Sequence, residues 1–228
     1  MRILVTRPLE DGMEIAARLA ERGHQALLAP LLTPRFLGGP EPGFEDIQAV
    51  LVTSANGIRA LSRRTARRDL PIFAVGPQSA DEARKAGFTD VRSADGDAKA
   101  LAEATMRWAS RDAALLHVCA EDAPGSLAEI LGRNGFTVRR CALYAIEPAT
   151  VLPSEAKAAL QDGALDAVML FSPRTARIFA FLADGLPTEG LTAYCISPAT
   201  AQALSPMIFG RMAVAERPNQ DAMLALVK

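Results

Sequence analysis

Histidine is scarce in this chain, with two residues in 228, and cysteine occurs three times, widely spaced and never as CxxC. That sparsity gives no disulfide framework and no cluster of thiolates and imidazoles for zinc, so neither a metal nor a cystine scaffold is expected. Aromatic residues make up 5% of the sequence, and 25 Lys and Arg against 26 Asp and Glu leave a formal net charge of −1. A nucleic-acid binder needs a basic stripe and stacking rings, and the composition supplies neither. The amino terminus, MRILVTRPLEDG, carries charge from the start and lacks a long apolar segment. No export signal or membrane partner is therefore expected, and the cytoplasm is the expected location. Phosphate-cradling loops are missing as well, since GxxxxGK[ST] does not occur and no GxGxxG follows an apolar run.

What is present is a composition of 50% apolar and 22% charged residues, ordinary for a soluble globular protein of one large or two small domains. Short apolar runs alternate with amphipathic stretches along the chain. RILVT, HQALLAPLL, QAVLVTS, PIFAVG, FTDVRSA, ALLHVC and FTVRRCALYAI read as strands. LEDGMEIAARLAERG, ANGIRALSRRTA, PQSADEARKAG, DAKALAEATMRWA and PGSLAEILGRNG read as helices. Such alternation predicts an α/β fold of parallel sheets flanked by helices.

The chain also repeats itself. VLVTSANGIRAL at 50–61 matches VMLFSPRTARIF at 168–179, and FAVGPQSADEA at 73–83 matches YCISPATAQAL at 194–204. DAKALAEA loosely matches QDAMLALV, and the opening strand–helix–glycine–strand unit is echoed by LAEILGRNGFTVRRCALY. Two Pro- and Gly-rich stretches, TPRFLGGPEPG at 33–43 and EPATVLPSE at 147–155, read as connectors between two lobes.

In open parallel sheets ligands bind where strands end and helices begin. Four polar turns fall at such junctions: Thr53–Asn56, Gly76–Ser79, Ser172–Thr175 and Ser197–Thr200. Each admits two readings. Ser, Thr and Asn are preferred helix caps, and the unpaired N–H groups of a helix start also attract anions. Arg63, Arg64, Arg67 and Arg68 read as a solvated helix face, Arg139 and Arg140 as a water-facing strand side, and Cys119 and Cys195 as buried small residues.

Arg7-Pro8, TSANGI, VGPQSADEARKAGF, Tyr144, FSPRTA and ISPATAQAL together give the sequence an ordered set of motifs that resembles the uroporphyrinogen-III synthase family over essentially its whole length. The resemblance implies two α/β lobes joined by two connecting strands, with the active site in the interlobe cleft. Lobe one would comprise residues 1–34 plus 150–228, and lobe two residues 38–145. The implied reaction closes hydroxymethylbilane to uroporphyrinogen III, with loss of water and inversion of the last ring, without metal or organic cofactor. The substrate is a polycarboxylate. By position, Ser54, Ser79, Ser172 and Thr200 match hydroxyls lining the family's cleft, while Arg7, Asn56 and Arg174 lie in the same turns as further donors. Tyr144 matches the family's tyrosine, a phenol that stays protonated at neutral pH and can donate to the departing hydroxyl. Much of the catalysis would come from positioning and lobe closure. A monomer is expected, with transient handover from hydroxymethylbilane synthase as an option.

Some positions depart from the family pattern. Cys119-Ala120 stand where an Arg-Gly pair is frequent, followed by the acidic Glu121-Asp122; Gln48 replaces an aspartate that Asp166 retains in the second copy; and Ser197 replaces a glycine. Two other readings remain: a two-lobed small-anion or tetrapyrrole binding protein without turnover, and a nucleotide-sugar transferase, which should show a diphosphate loop.

Overall fold

The computed structural model describes residues 1–227. In chain order its elements are β1 (Arg2–Val5), α1 (Leu9–Ala20), β2 (Gln25–Leu28), β3 (Leu32–Phe36), β4 (Ile47–Val52), α2 (Ala55–Arg64), β5 (Ile72–Ala74) and α3 (Pro77–Lys85). Then follow β6 (Val91–Ser93), α4 (Ala98–Trp108), β7 (Ala114–Ala120), α5 (Ser126–Arg133), β8 (Val138–Pro148) and α6 (Ser154–Gln161). The chain closes with β9 (Ala167–Leu170), α7 (Pro173–Leu182), β10 (Thr192–Cys195), α8 (Pro198–Gln202), β11 (Arg211–Val214) and α9 (Gln220–Ala225). The α/β fold expected from the alternation is the fold observed.

Two compact units result, one of Met1–Thr33 with Glu147–Lys228 and the other of Pro34–Ile146. The first holds a five-stranded sheet in the order β11-β10-β9-β1-β2, with every described pairing parallel. Its apolar side chains divide between the two faces, as parallel strands covered on both sides require. Leu4, Val168 and Leu170 meet Ala156, Leu160, Ala176 and Phe179 of α6 and α7. On the opposite face Ile3, Val5, Ala167 and Met169 meet Ile15 and Leu19 of α1 and Met223 and Leu224 of α9. Four-residue spacing in α1 makes this possible, because i and i+4 share one side of a helix.

The second unit holds a six-stranded sheet in the order β3-β8-β7-β4-β5-β6. Val50, Val52, Leu116 and Val118 pack on Ile58 and Leu61 of α2 and on Ala80 and Ala83 of α3. Ala49, Leu51 and Leu115 face Leu101 of α4 and Leu127 and Leu131 of α5. The chain passes between the units within β3 and within β8. TPRFLGGPEPG is thus a strand in its first residues rather than a connector throughout. Pro34 is tolerated there because β3 lies at the sheet edge, where a missing N–H breaks no ladder.

The arginine run also departs from a solvated face. Arg64 donates to the carbonyls of Pro40, at 3.0 Å, and Leu37; Arg68 donates to Ala86 and Thr65 at 2.7 and 2.8 Å. Arg63 and Arg67 are exposed, yet their guanidinium groups lie over the rings of Phe36 and Phe44. The contacts of Arg63, Arg64 and Arg67 fasten residues 36–44 to the end of α2 and the segment after it, while Arg68 ties that segment to the end of α3. Arg139 and Arg140 are both exposed, and Cys119 and Cys195 are buried.

Candidate functional site

Strand order fixes where a ligand can sit in each unit. In the second unit the chain leaves β4 toward β5 on one side while β7 lies on the other, so the loops after β4 and β7 diverge and open a crevice. Ser54 follows β4, and the loop beginning at Glu121 follows β7. In the first unit the same reversal lies between β1 and β9, after which come Arg7 and Ser172.

Ser54 caps α2, accepting from the Gly57 N–H at 3.3 Å. Its Oγ also lies 2.8 Å from the phenol oxygen of Tyr144, ninety positions along the chain. Tyr144 reaches this point because of an irregularity in β8. The β7–β8 register pairs Cys119 with Ala142 and then Ala120 with Tyr144, making Leu143 an extra residue. Strict alternation would send Leu143 and Tyr144 to opposite faces; with the bulge both are buried in the α2 side of the core. Burial is the main cause that raises the phenol pKa above its ordinary value; Ser54's hydrogen bond opposes it, and the sulfur of Cys119 and the carboxylate of Asp122 add to it. The Glu121 N–H donates to the Tyr144 carbonyl at 2.9 Å, so the acidic loop is tied to the tyrosine it follows in space.

Asn56, buried in the first turn of α2, accepts at Oδ1 from Arg59 at 3.1 Å. The other arms of that guanidinium form a two-point pair with Glu82 of α3 at 3.0 and 3.1 Å. Sequence reading missed Arg59 and Glu82, because their partnership joins two helices and leaves no local motif. Ser79 is 4% exposed at the third position of α3. Its turn begins with Gly76, which provides no side-chain cap to this helix start.

In the first unit Ser172 caps α7, accepting from the Thr175 N–H at 3.0 Å and lying 2.8 Å from the Thr175 hydroxyl. Thr200, fully buried, repeats this arrangement with Ser197, which caps α8. The serine at the position of the frequent glycine therefore acts as a cap. Arg174 is half-buried in the first turn of α7. Arg7 donates to Asp11 at 2.6 Å, a pair whose side chains are 14% and 5% exposed, and its guanidinium sits 5.0 Å from the centre of the Phe171 ring. Asp11 was not singled out by the sequence; its spacing of four from Arg7 on a helix start was the available signal. Thr6 donates to the Met169 carbonyl at 2.7 Å, joining β1 to β9 at the reversal.

Gln48 and Asp166, the two forms of one repeated position, both pin backbone near the entry of a strand. Gln48 donates to the Ser110 and Ala113 carbonyls, and Asp166 accepts from the Arg2 N–H at 2.6 Å. Among the described residues no group of three or more His, Cys, Asp or Glu is placed to hold a metal ion, and no helix is long and apolar enough to cross a membrane.

A profile of the family described as uroporphyrinogen-III synthase HemD matches residues 13–225. The porphyrin biosynthesis protein HemD of Ruminiclostridium josui is 26% identical over 238 residues, a match covering 98% of this chain and 47% of that protein. The chain thus spans about half the length of this curated relative. Among solved structures, uroporphyrinogen-III synthetase from Helicobacter pylori superimposes with a TM-score of 0.66 at 17% identity, covering 99% of this chain and 98% of the other. A mutant uroporphyrinogen III synthase from Thermus thermophilus gives 0.53 at 18% identity, covering 99% and 96%. At such identities the structural likeness concerns the fold.

Proposed function

The chain belongs to the uroporphyrinogen-III synthase family, and from that premise we propose that it closes hydroxymethylbilane to uroporphyrinogen III, as a lyase that removes water and inverts the last ring. The observation that carries the reading is Tyr144, re-aimed by the β8 bulge onto a serine at a helix start beside the β4–β7 reversal. Loss of the terminal hydroxyl as water requires a proton, and a phenol whose pKa is raised by burial holds one throughout the neutral range. The carbocation-like species that remains is cationic, and the carboxylate of Asp122 supplies negative charge near enough to act on the phenol.

Substrate carboxylates call for donors that hold without fixing. Ser79 in the first turn of α3 and Arg174 in the first turn of α7 are the groups proposed to meet those carboxylates. Ser54, Asn56, Ser172 and Thr200 shape their turns through the caps and contacts they make, with Arg7 held by Asp11. No resident cofactor enters this scheme, and the polypeptide is proposed to act as a cytoplasmic monomer receiving its unstable substrate from hydroxymethylbilane synthase.

Purified protein added to hydroxymethylbilane generated in situ should speed the loss of the bilane above its spontaneous closure. Unaccelerated loss by folded protein would contradict turnover and favour a family member that only binds.

A further inference from the structure

The internal repeat supplies a control for what the Ser54 hydroxyl does. Ser54, Ser172 and Ser197 each begin a helix after a parallel strand, and each Oγ accepts the N–H of the residue three positions on. A hydroxyl has one hydrogen to give. In α7 and α8 the residue three positions on is Thr175 or Thr200, whose own hydroxyl lies 2.8 or 3.0 Å from the serine. In α2 that residue is Gly57, which has no side chain to offer. Among the described residues, the phenol oxygen of Tyr144 at 2.8 Å is the side-chain partner that replaces it.

The absence of a side chain at 57 is not forced by the backbone. Gly57 has no positive φ, and a β-carbon there would meet the Val118 carbonyl oxygen at 3.5 Å, an ordinary contact. Glycine instead removes the competitor that engages the serine in both other copies.

At 2.8 Å either hydroxyl could be the donor, and the acid role of Tyr144 selects between the two directions. If Tyr144 donated to Ser54, the phenol's hydrogen would be engaged within the protein. If Ser54 donates, the chain runs from the Gly57 N–H to Ser54 Oγ and from Ser54 O–H to the phenol oxygen, and the phenol's hydrogen is left for another acceptor. We propose that Ser54 is a positioning residue for Tyr144, donating its hydrogen to the phenol oxygen so that the phenol's proton is presented to the substrate. This rests on Tyr144 being the acid of the proposed reaction. No new bond is made by Ser54 itself: as the phenol gives its proton to the departing hydroxyl, the phenolate oxygen keeps the electron pair and the serine hydrogen bond strengthens toward it. The start of α2, with its positive dipole end, favours that negative charge further.

The chain's tyrosines are Tyr144 and Tyr194, so site-resolved titration is direct. Both are replaced by 3-fluorotyrosine, which titrates at lower pH than tyrosine, and followed by fluorine NMR, with Tyr194→Phe assigning the signals. Ser54→Ala should move the Tyr144 titration upward and lower kcat by about tenfold with a much smaller change in KM, and Ser54→Thr should restore both. Gly57→Ser keeps the α2 cap and reintroduces a competing hydroxyl; it should move the titration the same way. Ser197→Ala, which removes the matching cap from α8, should not move it. An unmoved Tyr144 signal in Ser54→Ala and in Gly57→Ser would overturn the proposal. A moved signal with wild-type turnover in Tyr144→Phe would support the hydrogen-bond role of Ser54 and refute the acid role of Tyr144.

Discussion

Tyr144→Phe is expected to lower turnover by about tenfold or more while leaving the fold intact. The ring is 5% exposed and packs among Val52, Ile58, Val118 and Leu143, so phenylalanine preserves the apolar contacts. What disappears is one oxygen. Its removal costs Ser54 its acceptor, a loss of about 1 kcal/mol for a neutral hydrogen bond, too small to unfold a domain of ordinary stability. The effect on rate should be larger because proton delivery to the leaving hydroxyl is required in the transition state. The wild type should keep its activity through the neutral range and lose it only at alkaline pH, because burial raises the phenol pKa. Circular dichroism and urea midpoints near wild type, with turnover depressed, is the expected pattern; wild-type turnover in the variant would remove the acid role.

A second large effect concerns stability. His117, in the middle of β7, is 2% exposed, and neither ring nitrogen has a hydrogen-bond partner. Burial first, and then the charge of Arg140, lower its pKa from 6.5 to about 4. The neutral form is therefore the folded form. Above pH 6.5 both folded and unfolded chains carry neutral imidazole and the residue has no pH-dependent effect. As pH falls from 6.5 toward 4 the unfolded chain takes up a proton that the folded chain refuses, and stability falls, by about 3 kcal/mol once pH is below 4. His117→Met removes both orphan nitrogens. It should be neutral or stabilising at pH 7.5 and should flatten the decline in urea stability between pH 7.5 and 4.5 by about 2 kcal/mol relative to wild type. Parallel declines in the two proteins would show that His117 does not titrate in this way.

The elements that were legible in the sequence share one property, that their signal is local. The apolar run QAVLV ends in Thr53-Ser54, and the structure ends β4 at Val52 and caps α2 with Ser54. The same grammar held at Ser172 and at Ser197, which caps α8 with Thr200 as its partner, whereas the Gly76 turn has no side-chain cap. It failed where the answer lay between distant segments. The Arg63–Arg68 run looked like a charged face because its acceptors, the Leu37 and Pro40 carbonyls, lie in a segment read as a loose connector.

Tyr144 shows the limit most clearly. FTVRRCALYAI reads as a strand, but nothing in those letters marks Leu143 as an extra residue, since the bulge exists only relative to β7. Without it Tyr144 would belong to the other face. The family resemblance pointed to the tyrosine; its partner, Ser54, became visible only once β4, β7 and β8 were placed side by side. Gly57 is a similar case, a residue whose meaning comes from comparison with Thr175 and Thr200 in the other copies.

The central claim is that this chain directs ring closure rather than merely holding a tetrapyrrole. The most direct measurement generates hydroxymethylbilane in situ with the purified protein present, oxidises the products and separates type I from type III isomers by chromatography. A clear excess of type III over the spontaneous type I background is the predicted result. Type I alone, from protein shown to be folded, would contradict the claim.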